Sequence, residues 1–216
     1  MIGGAFPSVR LQSRSLACAR GGTIVVRDQS IALVGGDALI LRGANGAGKT
    51  TLLRALAGLA RIAGGTLEMQ VGDTRELEDV RGRCVHYVGH LNALRGELTS
   101  LENLQFWAAF LGGAQIPAMQ AFQSVGARFP ADAPAARLSV GQRRRLALAR
   151  LVLAPRAIWL LDEPTAGLDG AGTEMVRGLI EAHLACGGLA VIATHDPLDV
   201  TGAQVRELTP QGRAAA

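Results

Sequence analysis

The octapeptide Gly43-Ala44-Asn45-Gly46-Ala47-Gly48-Lys49-Thr50 constrains this chain more than any other feature, because it satisfies the pattern GxxxxGK[ST] at every fixed position. That pattern needs a strand before it and a helix after it. Asp37 to Arg42 is an apolar run of strand length, and Thr50 to Ala57 carries leucines at helical spacing with Gly58 as a stop. Glycines let consecutive backbone N–H groups curl inward, and the helix N-terminus adds partial positive charge. Lys49 then neutralises terminal phosphates, Thr50 holds Mg²⁺, and the cradle extends to Thr51. Of the 22 basic residues Lys49 is the only lysine, the others being arginine. A coding bias toward arginine that spares one lysine here argues against an empty glycine-rich turn.

Composition places this motif in one globular domain. The chain has 216 residues, 49% hydrophobic and 19% charged, enough to bury a core and too few for two full domains. A net charge of +4 without a clustered patch does not imply nucleic acid. The best apolar runs, Ala157 to Leu161 and Leu189 to Ala193, fall far short of the roughly 20 residues that cross a bilayer. Cys18, Cys84 and Cys186 are far apart and odd in number, so neither a disulfide framework nor a zinc site is expected. A reducing cytosol fits that usage. Positions 1 to 20 lack the apolar core of a secretory signal.

Strands are expected within Thr23 to Val34, at Thr66 to Val71 after the glycine pair Gly64-Gly65, at Val85 to Val88, at Ala157 to Leu161 and at Leu189 to Thr194. A crossover helix is expected over Thr173 to Leu184. Between Thr99 and Leu153 the β-character disappears, and helices are read at Leu101 to Leu111, about Ala118 to Gly126, and after Leu138. Phe129 to Ala136 reads as a loop. Thr99 and Glu102 have the spacing of a capping box. Ala214 to Ala216 reads as a frayed end.

A second constellation follows from the strand Ala157 to Leu161, which ends in Asp162-Glu163-Pro164. Two carboxylates at the end of a buried strand need a compensating cation or hydrogen bonds. Strand alternation puts them on different faces, so Asp162 can hold metal-bound water while Glu163 faces an attacking water as a base. Taken alone, the pair could merely cap the following turn.

Leu138-Ser139-Val140-Gly141-Gln142 resembles the LSGGQ signature of ATP-binding-cassette (ABC) ATPases. The resemblance continues through Gly167-Leu168-Asp169, similar to the D-loop, and Thr194-His195-Asp196, similar to the switch histidine, so it spans about Leu16 to Leu208. It implies an α/β P-loop NTPase fold with a RecA-like core, a small β subdomain and a helical subdomain inserted over about 91–153, all in a single domain of residues 1–216. It also implies a homodimer closing head to tail on two Mg·ATP, with Ser139 and Gly141, supported by Gln142, meeting the γ-phosphate held by the other copy. Lys49, Glu163 and His195 are then the catalytic group. The run Arg143-Arg144-Arg145 reads either as a solvated charged face or as charge awaiting an anion.

Three positions depart from the family pattern. His90 stands where a glutamine near Mg²⁺ is usual; neutral imidazole accepts a hydrogen bond there and is repelled by the metal once protonated. No Phe, Tyr or Trp lies between Pro7 and His86 to stack on adenine, which leaves Arg20, whose planar guanidinium can cover the base. Val140 replaces a signature glycine. The stretch Tyr87 to Leu104, with Gly89-His90, and Leu16 to Gly21 are similar to one branch, the ATP-binding subunits of the haem exporters of cytochrome c maturation. That likeness implies separate transmembrane permease subunits, a peripheral place on the cytoplasmic face of the inner membrane, and hydrolysis tied to release of a haem-loaded chaperone. None of His86, His90, His183 and His195 reads as a haem ligand. Other readings are an ABC exporter of another kind, a soluble repair or translation ATPase, for which the chain lacks a coiled coil and a second cassette, and an inactive scaffold, disfavoured by Lys49, Asp162, Glu163 and His195 together.

Overall fold

Two sheets organise the described residues, 4–210 and 214–215 of the computed structural model. The first is antiparallel and joins strands β1 (Val9–Arg20), β2 (Thr23–Val34), β4 (Arg61–Val71) and β9 (Ala214–Ala215) in the order β4-β1-β2-β9. The second joins β3 (Ala38–Arg42), β5 (Val85–Val88), β6 (Ile158–Asp162), β7 (Leu189–Ala193) and β8 (Gln204–Glu207) in the order β5-β6-β7-β3-β8, every pair parallel. Its central strands are buried along their whole length, as a parallel sheet covered on both faces requires.

Alternation along those strands divides the core. Ile40, Trp159, Leu161, Ala190 and Ile192 point to one side, where they pack with residues of α5 (Val140–Leu153) and α6 (Gly170–Ala185). Leu39, Leu41, Leu160 and Val191 point to the other and pack with α1 (Lys49–Leu56) and the antiparallel sheet. Helices α3 (Ser100–Phe110) and α4 (Ala118–Ser124) contribute Leu104 and Phe122 to the first of these clusters. Thr99 and Glu102 form the expected capping box of α3: the Glu102 N–H donates to Thr99 Oγ1 at 3.2 Å and the Thr99 N–H to Glu102 Oε2 at 2.8 Å.

Several elements differ from the sequence expectation. Strand β4 does not start after Gly64-Gly65 but runs through them from Arg61. Gly65 has φ 78°, and a Cβ there would stand 2.4 Å from the Arg14 and Ser15 carbonyl oxygens, so the glycine permits a bulge where β1 and β4 shift register. Register shifts of the same kind break the alternation of β1, which the sequence reading missed. It also missed α2 (Leu77–Cys84), which buries only Val80, and β8, whose residues are mostly exposed. A single turn of 3₁₀ helix, Ala135–Arg137, closes the loop read from Phe129. Ala214 and Ala215, expected to fray, pair with Thr23 and Ile24; Ala216 lies outside the described residues.

Candidate functional site

The site begins where β3 meets α1. Gly48 caps α1 in the left-handed region at φ 97°, and a Cβ on it would stand 2.4 Å from Val26 Cγ2, so no other residue fits that turn without displacement. A Cβ on Gly43, at φ 131°, would stand 2.1 Å from the Leu208 carbonyl oxygen. Lys49 is buried, and its ammonium donates to the Gly43 oxygen at 2.6 Å, so Gly43 and Ala44 hold the lysine from behind the loop. Asn45, Gly46, Ala47, Gly48, Lys49, Thr50 and Thr51 line a cavity of about 360 Å³. The same cavity is lined by His90, Asp162, Glu163 and His195, and by Arg20 and Val25.

Strand β6 delivers the two acids. The Thr50 hydroxyl donates to Asp162 Oδ1 at 3.1 Å, joining residues 112 apart in sequence. Asp162 Oδ2 is buried without a partner among the described residues. Burial therefore pushes the Asp162 carboxyl above the ordinary carboxylate range, with Glu163 adding to the shift and the Thr50 hydroxyl opposing it. An orphaned carboxylate oxygen beside a threonine hydroxyl is a hard oxygen donor set, and it fits Mg²⁺.

Glu163 leaves the strand at φ 50°, a conformation that costs about 1–3 kcal/mol in a residue with a side chain. Its N–H donates to the Ala193 oxygen of β7 at 2.8 Å, which anchors the turn to the sheet. Glu163 Oε2 receives the His195 N–H at 3.3 Å and lies 2.9 Å from His195 Nδ1. Asp196 Oδ1 is 3.5 Å from the other ring nitrogen. The Glu163 carboxylate, by hydrogen bond and charge, and then Asp196 raise the His195 pKa above its usual value.

Ser139, Gly141 and Gln142 do not line this cavity. They open α5, where the Gln142 N–H donates to Ser139 Oγ at 3.2 Å and the Ser139 N–H to Gln142 Oε1 at 2.8 Å. A Cβ on Gly141 would stand 2.6 Å from the Gly167 oxygen, so α5 and the Gly167 turn are in backbone contact. Asp169 caps α6 and pairs with Arg145 at 3.1 Å. Two of the three arginines in the run are not solvated. Arg144 is 2% exposed and Arg145 is held by Asp169 and the Val125 oxygen, because α5 turns this side into the molecule. The sequence reading missed Val25, whose place depends on sheet pairing, and Arg144, which its charged neighbours concealed.

The ABC transporter family model matches residues 26–166. The cytochrome c biogenesis ATP-binding export protein CcmA of Rhodopseudomonas palustris (strain HaA2) is 47% identical over 198 residues, 92% of this chain and 98% of that protein. Its counterpart in Rhizobium meliloti (strain 1021) is 45% identical over 210 residues, covering 93% and 98%. Among solved structures, a putative ABC transporter ATP-binding protein from Pyrococcus furiosus superposes with a TM-score of 0.78 at 21% identity, over 92% of this chain and 97% of that one. An ATP-binding cassette solved as a dimer in a post-hydrolysis state, bound to ADP and Pi, gives 0.77 at 23%, over 95% and 98%. The α/β fold is that of an ABC ATPase domain. The chain belongs to the ABC transporter family and, within it, to the ATP-binding export proteins of cytochrome c biogenesis.

Proposed function

We propose that this chain hydrolyses Mg·ATP as the ATPase subunit of a haem exporter of cytochrome c maturation, working as a head-to-tail homodimer beneath separate transmembrane permease subunits. One observation carries the reading. Lys49, Thr50, Asp162, Glu163 and His195 face a single cavity, while Ser139 and Gly141 open a helix outside it. A polyphosphate site complete on one side and lacking its signature is what a shared site looks like in one copy.

The residues divide the work. The backbone of Asn45 to Thr51 and the Lys49 ammonium cradle the phosphates. Thr50 and Asp162 would hold Mg²⁺, which neutralises phosphate oxygens, with His90 beside them in the cavity wall. Glu163 orients water in line with the γ-phosphate, and His195, kept protonated more readily by Glu163, stabilises the developing charge. Ser139, Gly141 and Gln142 of the second copy present N–H groups from a helix N-terminus to that phosphate. Arg20, which lines the cavity with Val25, would be the platform for adenine.

The helices α3 to α5 share a hydrophobic cluster with the parallel sheet, which supports one domain over 1–216 with a helical subdomain at about 91–153. Among the described residues no helix is long and apolar enough to cross a membrane. On this reading, coupling to export runs through membrane subunits, with this chain peripheral on the cytoplasmic face. Purification of the Glu163→Gln form from membranes in mild detergent with Mg·ATP tests the reading. Recovery of two copies per complex with cytochrome c biogenesis membrane proteins supports it, and recovery of a single copy without nucleotide defeats it.

A further inference from the structure

Arg144 uses its whole donor inventory inside the molecule. Nε donates to the Pro164 oxygen at 3.1 Å, Nη1 to the Gly89 oxygen at 2.9 Å and to Asn92 Oδ1 at 3.0 Å. Nη2 donates to the Asp162 oxygen at 2.6 Å and the Glu163 oxygen at 2.7 Å. A guanidinium has five N–H groups, and five acceptors meet them. Four of the acceptors are main-chain carbonyls. They belong to two segments: the turn carrying both acids, and the loop carrying His90.

A buried guanidinium is an expensive way to fill space. Desolvating it costs several kcal/mol, and an apolar side chain of similar volume often serves stability as well. Burial pushes the Arg144 pKa down to about 10, opposed by Asp162 and Glu163, so the charge persists at neutral pH. What an apolar residue could not do is grip carbonyls on two loops at once. Glu163 is where such a grip has consequence, because its backbone at φ 50° is strained and a released turn would relax away from the cavity. Arg144 also rides on α5, one and a half turns after Ser139, so it moves with whatever draws on the start of that helix.

We propose that Arg144 is a positioning residue for hydrolysis: through the main-chain oxygens of Asp162, Glu163 and Pro164 it aims the Glu163 carboxylate and ties that aim to the helix opened by Ser139 and to the His90 loop. The link to a nucleotide held by a second copy rests on the function proposed above. The positioning of Glu163 rests on the five hydrogen bonds alone.

The experiment compares Arg144→Gln and Arg144→Lys with the native chain in the assembled membrane complex, measuring ATP turnover, KM and thermal midpoint. Glutamine cannot span both loops, so kcat is expected to fall about 100-fold, the scale of an ångström misplacement of a catalytic group, with KM nearly unchanged. Lysine, a charge without the fork, restores only part of the rate. In the Glu163→Gln background the added Arg144→Gln has nothing left to aim and leaves the residual rate unaltered, a non-additivity that a merely structural role would not give. Asn92→Ala, which takes the acceptor from one Nη1 N–H of Arg144 and leaves the other four hydrogen bonds in place, lowers kcat severalfold and keeps the question open to measurement if both arginine variants unfold. Native kcat in folded Arg144→Gln or, should both arginine variants unfold, in Asn92→Ala would overturn the proposal. So would the same fold loss with and without Glu163. Failure of Glu163→Gln to form an ATP-bound dimer would instead strike the shared-site reading and leave the kinetic comparison standing.

Discussion

His195 Nδ1 lies 2.9 Å from Glu163 Oε2, and the backbone N–H of the same histidine reaches that oxygen at 3.3 Å. The proposed base and the proposed charge stabiliser therefore meet before any phosphate separates them. The pair predicts a linked result. Glu163→Gln removes the main cause that raises the His195 pKa, so the NMR titration midpoint of His195 shifts downward. Turnover falls by about 10²–10⁴, the span typical of a lost general base, while Mg·ATP still closes the dimer. An unmoved His195 midpoint would show that the contact does not govern its protonation.

Among the described residues Asp162 Oδ2 is buried with no donor, and Oδ1 accepts from the Thr50 hydroxyl. Asp162→Asn supplies an amide that cannot hold a hard cation as a carboxylate does. Magnesium-dependent hydrolysis is expected to fall by about 10²-fold or more, while nucleotide binding in the presence of EDTA changes little. Calorimetric titration of nucleotide with and without Mg²⁺ checks both halves. Loss of binding in EDTA would place Asp162 in folding rather than in metal retention.

Gly141 has no room for a Cβ, which would stand 2.6 Å from the Gly167 oxygen. Gly141→Ala therefore pushes the start of α5 from the Gly167 turn without touching the phosphate cavity. Turnover is expected to drop about tenfold or more, with ATP affinity of the isolated chain unaltered. Equal losses in both would mean that the strain spreads through α5 to the cavity wall.

Acid should loosen this fold through two histidines. Burial, with Arg150 and Arg156 assisting against the hydrogen bond to the Ala154 oxygen, holds His86 at a pKa of about 3. Burial holds His183, stacked 3.9 Å from Trp159, at about 4. The unfolded chain takes up these protons near pH 6.5 and the folded chain does not, so stability is full above 6.5 and declines as pH falls toward 4. The slope is about 1.4 kcal/mol per pH unit for each group. Urea unfolding at several pH values measures it, and His86→Gln should flatten the curve. A curve of unchanged steepness would assign the acid sensitivity elsewhere.

Arg20 is exposed and lines the cavity together with Val25, and among the described residues no Phe, Tyr or Trp lines it. Arg20→Ala is expected to raise KM for ATP about tenfold, the scale of one lost stacking cation, and to leave binding of inorganic tripolyphosphate intact. A matched loss for both would show that the guanidinium meets phosphate and not the base.

Local patterns were sufficient for much of this protein. The phosphate loop, its flanking strand and helix, the capping box at Thr99 and the acids ending β6 could each be read within about ten residues, because turn conformation, helix capping and strand alternation are short-range properties of the chain. Tertiary structure decided the rest. It paired Thr50 with Asp162 across 112 residues, turned Arg144 inward from a run of charges, and carried β4 through two glycines by opposing them to a bulge in β1. Those outcomes depend on which faces meet, and only the packed sheet fixes that.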